Sequence, residues 1–266
     1  MGKIYDLTSV SYDLDLFEVR LNTLWDVIDT FIVVESSNSH TNKPKELELL
    51  NNFSRFEKYK EKIIYCTAVF KYENPFVNDW VFRNFLFSKI PNPSDQDVVH
   101  HSDNDEISRP EILKEVFKNL KTPISFKTDY SFLCVDLYGR ESTDAIIMKY
   151  GWINTDLYKF RDNRTNFHIN NYFTYIEHAG WHFSNCFGIE NMLKKFQYFA
   201  HSSEIAPYVK NREYLINCIK QKKGIEIDSK PGTLKQIEIN EQNLPVYLVK
   251  NKEKFAPLFS DYYNIM

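Results

Sequence analysis

Three carboxylates fall within four residues at Asp103-Asn104-Asp105-Glu106. Like charges this close push at least one carboxyl towards protonation unless a cation offsets them, and no Lys or Arg lies inside the tetrad. Hard divalent ions with oxygen ligands, Mg²⁺ or Mn²⁺, are the natural partners, held through one or two carboxylates plus a substrate's phosphates. In extended backbone, residues i and i+2 point the same way, so Asp103 and Asp105 are expected to face one ion. The alternative is a solvated acidic turn ahead of the helix that Pro110 would open. A second cluster runs Glu177-His178-Ala179-Gly180-Trp181-His182-Phe183-Ser184. His182 could supply a nitrogen to the same cation, although a histidine flanked by Trp181 and Phe183 also suits a hydrogen-bonded core position.

These groups need elements to place them. Leu14, Phe17, Leu21, Leu24 and Ile28 recur at helical spacing, with Asp15, Glu18 and Asn22 on the wet face. Thr30-Phe31-Ile32-Val33-Val34 then reads as a strand buried on both faces, as in a parallel sheet. Lys62-Ile63-Ile64-Tyr65-Cys66, after a helix-compatible stretch from Lys45 to Lys60, and Val98-Val99-His100-His101, after a helical pattern from Trp80 to Ile90, repeat the theme. Pro110 suits the first turn of a helix over Glu111 to Asn119. Ile124 to Asp136 and Phe167 to His178 carry aromatic, alternating patterns of strands, and Gly188 to Phe199 and Pro207 to Lys222 are helical in pattern. Strands alternating with helices predict βαβ units, whose ligands sit beyond the carboxyl ends of the strands. Those ends are Glu35-Ser36 and the acidic tetrad.

The 266 residues carry 33 Lys+Arg against 36 Asp+Glu, a net charge of -3, which is too even for sequence-independent nucleic-acid binding. No apolar stretch approaches the roughly 20 residues that span a bilayer, and the acidic first twenty residues do not fit a secretory signal. A soluble, cytoplasmic chain folded as one domain over residues 1–266 is the expectation. The four cysteines show no C-x-x-C spacing, which excludes a zinc knuckle. With only 7 glycines, and neither G-x-G-x-x-G nor a P-loop, any phosphate must be met by a metal and basic side chains.

An ordered set of stretches resembles glycosyltransferase family 17, the family of the β-1,4-mannosyl-glycoprotein 4-β-N-acetylglucosaminyltransferases. The set comprises Tyr12 to Arg20, Asp26 to Ser36, Thr41 to Lys45, Lys62 to Tyr65, Trp80 with Arg83, Ser102 to Ile107, Ala179 to Ser184 and Leu248 to Asn251. The resemblance implies an α/β, GT-A type Rossmann-like nucleotide-sugar transferase fold, with a mixed central sheet flanked by helices. It implies an Asp-x-Asp motif at Asp103 and Asp105 and a late metal ligand at His182, holding Mn²⁺ or Mg²⁺ against the diphosphate of a UDP-sugar. Glu35 and Ser36 would contact the nucleoside, and Lys43 and Arg83 the phosphates or the donor sugar, with ordinary surface salt bridges as the alternative for the last two. Inverting transfer to a glycan or glycoprotein acceptor needs a carboxylate base; Glu106 is the nearest candidate and Glu177 the next, Glu106 having the further option of supporting the metal residues from behind. N-acetylglucosamine is the first donor sugar to test. A non-catalytic carbohydrate-binding protein on the same fold is the competing reading, favoured by the 16% aromatic content.

Overall fold

The computed structural model describes residues 2–153, 156–163, 173–198, 202, 205–225 and 232–264. Its first strand, β1 (Ile4–Ser9), is one that periodicity does not reveal, because the fully buried Asp6 and Thr8 interrupt its apolar pattern. Helix α1 (Leu14–Leu24) and strand β2 (Thr30–Ser36) follow where the spacing predicts them. The expected helix from Lys45 to Lys60 is instead a short α2 (Glu48–Asn51) and a run of 3-10 turns over Phe53–Lys62. After β3 (Ile63–Ala68), α3 (Pro75–Ser88) starts earlier than the apolar pattern suggests. The Asn74 side chain accepts a hydrogen bond from the Phe76 amide, and Pro75 sits in the first turn, where its missing N–H is no loss.

The chain continues through β4 (Val98–His101), β5 (Glu106–Ser108), α4 (Pro110–Asn119), β6 (Ile124–Phe132), β7 (Leu137–Lys149), α5 (Leu157–Asp162), β8 (Thr174–Ile176) and β9 (Gly180–Ser184). It ends with α6 (Ile189–Tyr198), α7 (Arg212–Lys220), β10 (Lys235–Gln236), α8 (Val246–Lys250) and α9 (Asp261–Asn264). The strand pattern expected from Phe167 to His178 lies partly outside the described residues; its described part contains β8.

The strands form one mixed sheet in the order β3-β2-β1-β4-β7-β6-β9-β5, with β10 added to β7 and β8 to β6. From β3 to β4 every pairing is parallel. β7 runs antiparallel to both β4 and β6, β9 lies parallel to β6, and β5 closes the path antiparallel to β9. Alternate residues of the parallel strands serve opposite faces. Ile32 and Val34 join Tyr5, Leu7 and Val99 under Phe82 and Leu86 of α3, while Phe31 and Val33 pack against Phe17, Leu21 and Leu24 of α1. This two-sided burial explains the continuous apolar runs, and each such side chain contributes about 1.5–3 kcal/mol. A third core gathers Trp181, Phe183 and Leu133 against α6, α7 and α8. Because α1 and α3 cover opposite faces, the strand order reverses between β1 and β4, and a crevice opens at their carboxyl ends. Among the described residues no helix is long and apolar enough to cross a membrane.

Candidate functional site

A cavity of about 290 Å³ occupies that crevice, walled by the segments that follow β1, β2 and β4 and by β9 and α6. Ser36, Asp103, Asp105 and His182, all singled out from the sequence, line it, together with Lys45 and Lys195, which were not.

The acidic tetrad is not extended. Residues 103–105 reverse the chain between β4 and β5, with the Glu106 amide donating to the Asp103 carbonyl at 2.9 Å. The expected i, i+2 alignment of Asp103 and Asp105 therefore gives way to a tight turn. Arg20, fully buried on α1, holds this turn from beneath, its Nη1 donating to the carbonyls of Asp103 and Glu106 at 3.0 and 2.8 Å. The same guanidinium makes a two-pronged pair with Asp6 at 2.8 and 2.6 Å and donates to the Ser102 hydroxyl at 2.7 Å. His100 completes this buried hub, with Nδ1 2.6 Å from Asp6 and Nε2 2.8 Å from the Ser108 hydroxyl. Burial alone would raise the Asp6 carboxyl, but Arg20 and then His100 hold it far below the usual carboxylate range.

The charge compensation missing inside the tetrad arrives from distant segments. Arg83 on α3 and Arg161 on α5 pair with opposite oxygens of Asp103 at 2.7 and 3.1 Å. Burial disfavours the Asp103 carboxylate, yet these two cations keep it ionised. Arg161 also bridges Glu106 at 2.7 and 3.0 Å, and Glu106 accepts the Asp103 amide at 2.8 Å. Arg83 is shared with Asp79 and lies 3.3 Å from His101, which burial, with Arg161 and Arg83, holds neutral.

β5 and β9 place Glu106 directly opposite His182. The approach is close enough that a Cβ on Gly180, opposite Ser108, would fall 2.5 Å from the Ile107 carbonyl oxygen. His182 Nδ1 lies 3.1 Å from Asp144 on β7, whose second oxygen accepts the Thr128 and Ser142 hydroxyls. Burial opposes charge on His182, but Asp144 raises its pKa to about 9. Glu106, Asp144 and His182 each offer a ligand atom within 4.8 Å of the others. One imidazole and two carboxylates at this spacing suit a divalent cation. Asp144 gave no signal in the sequence beyond being a lone carboxylate ahead of the apolar run Ala145-Ile146-Ile147-Met148.

Asp105 lines the cavity without an ion pair among the described residues, as Asp13 does, and burial pushes the Asp105 pKa up to about 6 against the pull of His182 and Lys195. The remaining sequence candidates are spread out. Glu35 is fully buried and accepts the amides of Leu49 and Leu50 and the Tyr65 hydroxyl, so it anchors α2 instead of lining the cavity. Lys43 lies over Tyr198, outside the cavity lining, whereas Lys45 lines the cavity and sits over the Tyr12 ring. Arg83 is committed to Asp79 and Asp103, and Glu177 pairs with Lys127 away from the cavity.

β-1,4-mannosyl-glycoprotein 4-β-N-acetylglucosaminyltransferases of Homo sapiens and Rattus norvegicus are 27% and 26% identical to the chain, each match covering 73% of this chain and 42% of the relative. The chain thus spans less than half the length of these relatives. A solved structure of an active-site mutant of LgtC superimposes with a TM-score of 0.37 and 12% identity, covering 66% of this chain and 72% of that one. The sequence profile described as Glycosyltransferase family 17 matches residues 1–260, and the chain belongs to that family.

Proposed function

We propose that the protein is a metal-dependent glycosyltransferase of the GT-A type, transferring a sugar with inversion from a UDP-sugar, N-acetylglucosamine first, to a glycan or glycoprotein acceptor. The observation that carries this reading is the meeting of Glu106, Asp144 and His182 beside a cavity at the carboxyl ends of β1, β2 and β4. The donor set fits Mn²⁺ or Mg²⁺: His182 stands on the cavity wall, which Asp105 also lines, and Glu106 and Asp144 complete the set outside that lining. A cation there would neutralise the charge that develops on a departing nucleoside diphosphate.

The chain's own groups support the rest. Lys45 and Lys195 on the cavity wall meet phosphate charge, the part that the sequence suggested for Lys43 and Arg83. Burial lowers the Lys45 pKa, in keeping with an ammonium that gains from an anionic ligand. Ser36 lines the cavity at the end of β2, where a nucleoside would be contacted. Arg20 fixes the turn before any ligand arrives, which lowers the ordering cost of binding. An inverting transfer also needs a carboxylate to take the acceptor's proton. Glu106 is bridged to Arg161 and Glu177 to Lys127, so we give neither of them that role.

Titration calorimetry with UDP and Mn²⁺ tests the reading. Binding that requires the cation and is lost in Asp105→Ala and His182→Ala is the expected result; equal binding without Mn²⁺ overturns it. UDP release from UDP-N-acetylglucosamine above the metal-only rate separates a transferase from an inert carbohydrate-binding protein.

A further inference from the structure

Arg161 sits where the proposed cation would act. The residue is 4% exposed, and one guanidinium nitrogen, Nη2, reaches Glu106 at 2.7 and 3.0 Å and Asp103 at 3.1 Å. Glu106, itself 3% exposed, is at once this arginine's partner and a member of the set whose ligand atoms lie within 4.8 Å of each other. The buried Glu106 carboxylate, with the partly exposed Asp103 carboxylate one turn away, needs positive charge beside it. A guanidinium and a divalent ion on the same buried carboxylate repel each other.

We infer that Arg161 is a resident countercation that competes with a divalent ion for Glu106. Without the ion it neutralises Glu106 and Asp103 and keeps the turn closed. When the ion is taken up, Arg161 gives up Glu106 and retains Asp103, to which Arg83 is already bound. Helix α5 is built to carry this arginine in and to tolerate the exchange. Its amino end is fixed to α3, with the Leu157 amide donating to Asn84 at 2.8 Å and the Trp80 indole N–H donating to Asp156 at 3.2 Å. Leu157 is fully buried, so the helix stays docked at that end while Arg161 at the other end changes partner. This makes Arg161 a positioning residue that sets the affinity for the ion. The inference rests on the cation reading proposed above.

The test titrates MnCl₂ alone into the full chain and its Arg161→Gln and Arg161→Lys variants. Removing the competing charge should tighten Mn²⁺ binding about tenfold in Arg161→Gln, and Arg161→Lys, which keeps a cation, should return it to near the parent value. A purely structural arginine would instead weaken binding on removal, and equal or weaker binding in Arg161→Gln overturns the proposal. Should Arg161→Gln fail to fold, amide exchange in the unmodified chain decides: residues near Arg161 should exchange faster with Mn²⁺ present, and unchanged exchange overturns the proposal. Mn²⁺ binding in Arg161→Gln but not in the parent supports the competition and counts against metal dependence of the natural protein. Cation-dependent UDP binding in the parent with unchanged Mn²⁺ affinity in Arg161→Gln sinks the competition alone, and no Mn²⁺ binding by either protein sinks both.

Discussion

Between β3 and β4 the cavity is walled by short polar groups and loop backbone: Ser9, Ser11, Ser36, Asn38 and Ser39, carried on strands whose side chains are buried on both faces. Between β7 and β5 the same cavity meets a half-buried imidazole with two buried carboxylates behind it, on strands that turn against one another. The parallel half supplies a rigid floor of mostly neutral groups, with Lys45 and Asp13 its charged members on the cavity wall. The mixed half supplies the charges, but borrows its compensation from the other side through Arg20, Arg83 and Arg161. Scaffold and chemistry are therefore separable in this sheet, and the arginines are the places where they are joined.

Cutting the strongest join should do the greatest damage. Arg20→Met leaves Asp6 as an uncompensated buried charge and frees two carbonyls of the turn, and a loss of about 3–5 kcal/mol is expected from urea unfolding midpoints. A loss below about 1 kcal/mol would mean that the turn does not lean on the parallel half. Substitutions confined to the mixed half should reverse the balance. Asp144→Asn, which removes the charge that raises the His182 pKa, should weaken Mn²⁺-dependent UDP binding about 10- to 100-fold by calorimetry, with a smaller stability change than Arg20→Met. Unchanged binding would detach the chemistry from β7.

The pH dependence probes the hub more gently. Burial lowers the His100 pKa below its usual 6.5, so the folded state holds it neutral while the unfolded chain takes up a proton. Stability from this source is complete above pH 6.5 and is lost as pH falls below it. His100→Gln should therefore show a shallower fall in unfolding midpoint between pH 7 and pH 5 than the parent, and parallel curves would remove His100 from the hub. Glu177→Gln stands at the far end of the scale. As half of an exposed pair with Lys127, it should leave both stability and UDP binding unchanged within error, and a loss of transfer activity in that variant would restore it as the base.

What the sequence made legible follows the same division. β2 announces itself because burial on both faces demands an unbroken apolar run, β3 and β4 by shorter apolar runs beside it, and α1 because its buried side demands 3.6-residue spacing. β1 stays hidden because Asp6 and Thr8 point inward, and inward-pointing polar groups are readable only once their partners are known. β7 stays hidden because its exposed stretch around Arg140 and Glu141 looks like a loop before the chain reaches Ala145. At the site, local motifs located Asp103, Asp105, Glu106 and His182. They could not show that Asp103 is engaged by two arginines 20 and 58 residues away in sequence, nor that Asp144 stands beside His182. Charge compensation is a property of space, and spacing along a chain records it only within a helix or a strand.

The close approach at Gly180 puts a tolerance on all of this. A single methyl group there would drive β9 away from β5 two residues before His182 and at the very pairing that sets it opposite Glu106. The side chains that meet are large, adjustable and charged, but the gauge between them is fixed by an atom that is absent. A residue with no polar side chain and no ligand to touch thus limits how far the donor set can drift, and it does so by leaving no room for error.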